Sequence, residues 1–152
     1  MPDLNINWPL TNPVTMRAAA ALPAVGAYDA TPIEIAVANI QFATFYVTYT
    51  RAAAGGDVRL RVEVSPYFQD TAGVEDWFRM SAYSVGGVAS GADNLDNIQR
   101  TTLEYGSTAG GAEMFVYGPI ELRGTVERIR ISAAESGVVG NPGACMIVGC
   151  FA

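Results

Sequence analysis

The chain contains no histidine and no lysine. The commonest general base, the imidazole metal ligand, the Schiff-base amine and the phosphate-loop lysine are therefore all missing. Ser-His-Asp, Cys-His and zinc-hydrolase schemes are excluded with them. Cysteine is scarce: Cys145 and Cys150 are the only two, five positions apart in "ACMIVGCF". On one strand that odd spacing sets them on opposite faces, about 16 Å apart, too far to bridge. They read as two reduced small hydrophobes. No apolar run reaches the length of a membrane-spanning helix, and the opening "MPDLNINWPL" lacks the basic and apolar regions of a secretory signal. Charge is sparse as well, at 16% of residues, with all nine basic residues arginine. Fifteen acidic residues give a net charge of -6, which argues against a basic footprint for nucleic acid.

What remains is a chain of 152 residues, half of them hydrophobic. That length suits one domain, which buries roughly 68–70% of its unfolded surface. Five of the eight prolines, Pro2, Pro9, Pro13, Pro23 and Pro32, fall in the first 32 residues. Each removes a backbone donor and holds its predecessor extended. Residues 1–32 read as an extended proline-rich arm, with one helical turn near "RAAAA". The arm carries Leu4, Ile6, Trp8 and Leu10 as apolar anchors for a partner.

From residue 33 to 152 the pattern is strand, turn, strand. In "DVRLRVEVS", Val58, Leu60, Val62 and Val64 alternate with Arg59, Arg61 and Glu63, the signature of a strand with one face in a core. "TFYVTYTRAAAGGDVRLRVEV" reads as an antiparallel hairpin. "VERIRIS" repeats the alternation, with Ile129 and Ile131 inward and Arg128 and Arg130 outward. With "IEIAVANI", "DWFRMSAYS", "NIQRTTLEY", "EMFVYGPIEL" and "CMIVGCFA", eight runs rich in β-branched and aromatic residues are separated by Gly-rich stretches. They predict an all-β, eight-stranded antiparallel sandwich, jelly-roll-like, with an extended N-terminal arm. An immunoglobulin-like sandwich is the runner-up, without that class's cysteine and tryptophan pattern.

Chemistry is hard to find in it. Glu75 and Asp76 lie beside Trp77 and Phe78, but strand neighbours point to opposite faces and do not flank one glycosidic bond. Asp93, Asn94, Asp96 and Asn97 in "GADNLDN" are oxygen donors without the twelve-residue calcium-loop pattern, and read as a turn. No catalytic residue, metal site or cofactor is expected, and the chain reads as a non-enzyme. Pro119 interrupts a strand and belongs at an edge or bulge. Glu121, Arg123, Glu127, Arg128 and Arg130 follow closely, a candidate set of inter-subunit ion pairs.

A proline-broken apolar arm, "MPDLNINWPLTNPVTM", joined to a sandwich running from "DVRLRVEV" to "ERIRIS", resembles in its organisation the capsid decoration (cement) proteins of tailed bacteriophages. The resemblance implies a non-enzymatic virion structural protein assembled in the host cytoplasm. It further implies a β-rich homotrimer on an icosahedral shell, with the major capsid protein or other virion subunits as partners, and neither nucleic acid nor membrane. The residues themselves specify neither trimer over dimer nor capsid over tail or neck. A carbohydrate-binding sandwich is the alternative, resting on aromatics such as Tyr46, Tyr67 and Trp77.

Overall fold

The computed structural model describes residues 13–23, 26–52, 57–80, 102–106, 112–122, 126–136 and 141–152. The described chain is all-β. Its strands are β1 (Val14–Ala21), β2 (Glu34–Ala36), β3 (Phe42–Thr50), β4 (Asp57–Ser65), β5 (Phe78–Arg79), β6 (Thr102–Gly106), β7 (Ala112–Glu121), β8 (Arg128–Ser136) and β9 (Ala144–Phe151). One sheet has the order β1-β9-β3-β7, the other β2-β8-β4 with β5 and β6 flanking the same side of β4. β5 and β6 share one position, so each sheet is four strands wide. All pairings are antiparallel.

The alternation legible in β4 and β8 builds the core. Val58, Leu60 and Val62 from β4 and Ile129, Ile131 and Ala133 from β8 are all but inaccessible. They face Phe45, Val47 and Tyr49 of β3 and Ile147 and Phe151 of β9 across the sandwich. Each fully buried aliphatic or aromatic side chain contributes about 1.5–3 kcal/mol. Phe45 holds the centre, stacked on Tyr117 at 6.4 Å and meeting Phe151 edge-on at 6.2 Å. Cys145 is buried and Cys150 half-buried on opposite faces of β9, and both are free thiols.

Two features depart from the sequence reading. The stretch read as a β3–β4 hairpin is not one: β3 pairs with β7 and β9, while β4 pairs with β5, β6 and β8. Their apolar faces look at each other across the core instead of lying side by side. Local alternation states which side is apolar, not which strand lies beside it. Residues 14–21, read as part of the arm of residues 1–32 with a helical turn near "RAAAA", form strand β1 on the edge of the first sheet. Alanine is the best intrinsic helix former, but tertiary context routinely overrides propensity, and here β9 offers these residues a free edge. The β1 register slips between Thr15 and Arg17 and again between Arg17 and Ala20. The Arg17 guanidinium fills in at these irregularities, donating to the carbonyls of Ala20 and Ala21 at 2.9 Å each. Its Nε donates to Asp29 at 3.1 Å, and Asp29 Oδ2 accepts from the backbone N–H of Ala133 in the other sheet at 3.0 Å.

Pro119 sits where both conditions for a strand proline are met. β7 is an edge strand, and its register against β3 slips between Ala43 and Phe45, so an extra β7 residue is accommodated there. The Gly118–Pro119 peptide is cis and Gly118 has φ 128°. A side chain at Gly118 would also strike the Ala43 carbonyl oxygen, 2.9 Å from where its Cβ would lie.

Candidate functional site

The outer face of the second sheet carries an ionic cluster built around two arginines. Strand alternation sends Arg128 away from the core, yet only 7% of it is exposed, because the segment between β4 and β5 lies over it. Its Nε donates to the Tyr67 carbonyl at 2.7 Å, Nη1 to Glu34 Oε2 at 2.9 Å and Nη2 to Asp70 Oδ1 at 2.9 Å. Arg130, two residues on, donates from Nε to Glu63 Oε2 at 2.9 Å. Trp77 lies against both, its ring centre 4.8 Å from the Arg128 guanidinium and 4.1 Å from that of Arg130.

Asp76 completes the cluster. It is buried, accepts the Thr71 backbone N–H at Oδ2, and lies 4.0 Å from Arg128. Its Oδ1 is enclosed without a hydrogen-bond partner. Glu75, Asp76, Glu34 and Arg130 line a cleft of about 420 Å³. Its side chains are tied to one another, and the result is a staple holding residues 66–77 down on the sheet. No group of three or more acidic, cysteine or histidine residues suited to a metal occurs among the described residues.

The sequence-predicted ion-pair residues are thus only partly gathered. Arg128 and Arg130 are neighbours whose pairs lie within the chain, with Glu34, Glu63 and Asp70. Glu127 precedes β8, half-buried, its backbone N–H donating to Ser65 and its carbonyl accepting from Val37, both at 2.8 Å. Glu121 is exposed at the end of β7 in the other sheet. Arg123, the anchors Leu4, Ile6, Trp8 and Leu10, and the "GADNLDN" stretch lie outside the described residues. Missed in the sequence were the acidic partners Glu34, Glu63 and Asp70, which lie far along the chain from the arginines they meet.

The outer face of the first sheet is different in kind. The paired registers align its outward residues in rows across β9, β3 and β7: Cys150–Thr44, Val148–Tyr46–Val116, Met146–Thr48–Met114 and Ala144–Thr50–Ala112. None of these residues is charged, while the next row along β3 and β7, Phe42–Glu121, brings an exposed carboxylate onto the same face. Met114 is 79% exposed, Val116 55% and Tyr46 49%. Strand spacing near 4.8 Å and a two-residue repeat near 6.7 Å give this surface about 400 Å². These rows mix three threonines and half-buried residues with an exposed apolar group, Met114, Val116 and Tyr46, and the largest apolar patch of a soluble monomer is often a contact surface. The alternation of Phe45 and Val47 with Tyr46 and Thr48 sets Tyr46 on one face of β3, and the fold turns that face outward. That β9 and β7 would add uncharged residues beside it depended on the strand order.

A third group is internal. Glu135, fully buried at the inward end of β8, accepts from Tyr49 Oη at 2.9 Å and from the Gly143 backbone N–H at 3.1 Å. Both donors belong to the opposite sheet or its entry, so the carboxyl bridges the two layers. Burial pushes the Cys145 thiol nearby up to about 12, with Arg17 opposing and Asp29 and Glu135 adding to the shift. It also pushes the Tyr117 hydroxyl up to about 12. Compared with family models, with curated proteins and with solved structures, this chain matches none, so the sandwich and its surfaces stand on their own geometry.

Proposed function

We propose that this chain is a non-enzymatic structural subunit of a virion, a capsid decoration protein that strengthens an icosahedral shell through its sandwich body and its N-terminal arm. The observation that carries the reading is the apolar patch on the outer face of the first sheet, with Met114, Val116 and Tyr46 exposed together. An apolar surface kept open to water lowers solubility and is retained where another surface covers it. In this reading residues 1–12, which carry Leu4, Ile6, Trp8 and Leu10, are the contact segment for subunits that the body does not touch. The ionic cluster around Arg128 serves it too, by fixing residues 66–77 so that the opposite side of the body presents a rigid shape.

The test is co-sedimentation of the purified chain with empty shells assembled from the shell protein encoded beside it. Saturable binding at a fixed number of copies per shell, with increased resistance of the shell to heat, is the expected result. Shells that sediment without the chain at saturating concentration refute the reading.

A carbohydrate-binding module is the second reading, favoured by Phe68 at 72%, Phe78 at 53% and Tyr67 at 42% exposure. Against it, two guanidinium groups already lie over the Trp77 ring. A glycan-array signal that disappears in Phe68→Ala and Phe78→Ala variants would move this reading to the front.

A further inference from the structure

We infer that the cleft beside Asp76, on the outer face of the second sheet, receives an arginine side chain of a partner protein; the inference goes beyond the assembly reading and concerns the other side of the body. Five carboxylates line the cleft, Glu34, Glu63, Asp70, Glu75 and Asp76, against the single guanidinium of Arg130. The staple ties down three of them: Glu34 and Asp70 on Arg128, and Glu63 on Arg130, each at 2.9 Å. Arg61 adds a second contact to Glu63 at 3.6 Å. Arg79, opposite Glu63 in the β4–β5 ladder, forms no ion pair among the described residues and does not line the cleft. Glu75 and Asp76 are left over.

Asp76 is the group that calls for a donor. It is 3% exposed, yet only one of its oxygens is satisfied. Oδ2 accepts the Thr71 N–H and lies 4.0 Å from Arg128, while Oδ1 has no hydrogen-bond partner. Because Oδ1 is enclosed, bulk water does not satisfy it, and an acceptor closed off without a donor carries the cost of its desolvation. Asp76 lines the cleft, so a donor pressed into that wall supplies what the chain itself does not. Next to it, Glu75 is exposed and has no hydrogen bond or ion pair among the described residues. The two precede β5 and are not on a strand, so the alternation that turns strand neighbours to opposite faces does not separate them, and both line one cleft.

Two free carboxyls suit a guanidinium better than a metal ion. Calcium takes about six to eight oxygens, and Glu34, Glu63 and Asp70 are already held by arginines. A planar guanidinium instead donates from its fork to two acceptors at once. The cleft, about 420 Å³, has room for the methylene stem as well, with Val74, 52% exposed, as an apolar wall for it. The surroundings suit an arginine carried on a protein. The segment that bears Glu75 and Asp76 also exposes Tyr67 and Phe68, and Phe78 follows it; aromatic residues and arginine are what protein contacts are enriched in. The chain's net charge of -6 draws a basic surface toward it from a distance.

The experiment uses the full chain carrying Trp8→Phe, so that Trp77 in the cleft wall is the sole tryptophan. Its fluorescence is titrated with the blocked tripeptide acetyl-Gly-Arg-Gly-amide, and with the same peptide carrying citrulline, which keeps the shape of arginine and removes the charge. The expected result is a saturable change with a dissociation constant of about 1–5 mM, and about tenfold or greater weakening with citrulline. Glu75→Gln and Asp76→Asn should each weaken binding of the arginine peptide about tenfold or more. Circular dichroism establishes that each variant is folded, and the exposed Glu75 decides if Asp76→Asn is not. No saturable change up to about 20 mM peptide, an equal response to the citrulline peptide, or unchanged binding in Glu75→Gln overturns the inference. So does displacement of the peptide by about 1 mM calcium chloride at constant ionic strength, which would assign the cleft to a metal ion. Co-sedimentation with shells is read separately, so this inference and the assembly reading fail independently.

Discussion

Replacing Tyr49 with phenylalanine tests whether the buried Glu135 carboxyl ties the two sheets together. The ring stays in its fully buried site and only the hydroxyl is lost, together with the 2.9 Å hydrogen bond to Glu135 Oε1. Water cannot replace that donor, because the carboxyl is inaccessible. A hydrogen bond to a charged group is worth about 1.5–3 kcal/mol. In a domain of this length each kcal/mol moves the melting temperature by about 2–4 °C, so Tyr49→Phe is expected to melt about 3–12 °C below the parent. The assay is thermal unfolding followed by circular dichroism, with urea titration as a second measure. Combining Tyr49→Phe with Glu135→Leu should cost about 1–2 kcal/mol less than the two single costs added, since the second change removes the stranded acceptor. A Tyr49→Phe chain that melts within about 1 °C of the parent, or a pair of changes that add without coupling, would refute the reasoning.

Gly143→Ala should destabilise by about 1–3 kcal/mol, because the added Cβ would lie 2.5 Å from the Thr50 carbonyl oxygen and 2.7 Å from the Tyr49 ring; urea titration reads it, and an unchanged midpoint would count against this close approach. Stability should fall as pH rises above about 9. The unfolded chain releases the Cys145 and Tyr117 protons near their ordinary values of 9.0 and 10.0, while the folded chain keeps both until about 12. Stabilisation from these groups is thus full below 9 and lost through 12, on the order of several kcal/mol in total; a flat urea midpoint between pH 8 and 11 would contradict it. With an aqueous thiol reagent at pH 8, Cys150 should react in the folded protein and Cys145 only after denaturation, which mass spectrometry of labelled peptides resolves. Arg128→Ala should release residues 66–77 from the sheet, at about 2–4 kcal/mol. Limited proteolysis should then cut next to Tyr67 or Phe68 faster than in the parent, and unchanged cleavage there would show that Arg128 is not what holds the segment.

Legibility of the fold in the sequence tracked how local each feature is. Alternation in "DVRLRVEV" and "ERIRIS" places Val58, Leu60, Val62, Ile129 and Ile131 in the core without reference to any other strand, and a proline inside "YGPIEL" demands an edge or bulge wherever β7 lies. Pairing is not local. β3 and β4 lie in different sheets because both turn apolar sides inward, which a hairpin reading satisfies equally well. β1 was hidden by alanines, whose strand depends on the β9 edge and on Arg17 satisfying carbonyls at its irregularities. Arg128 was correctly turned away from the core, but its burial comes from residues 66–77 folding back, which no period in β8 reports. The apolar patch on that face was legible only one strand at a time, because its extent depends on the registers of β9, β3 and β7.

Strand β9, the last in chain order, sits between β1, the first, and β3. The first sheet therefore cannot be completed until residues 144–151 have been made, since its second column follows the other three in chain order. Until then β1 has no sheet partner and the Phe45 side of β3 has no Ile147 or Phe151 to pack on. Pairings between such distant segments are slow to form, and the unfinished sheet exposes strand edges to other nascent chains. The winding that gives the finished body its core leaves assembly of that body waiting on residues 144–151, which makes loss of that strand fatal to the fold and the interval before it is synthesised its most vulnerable stage.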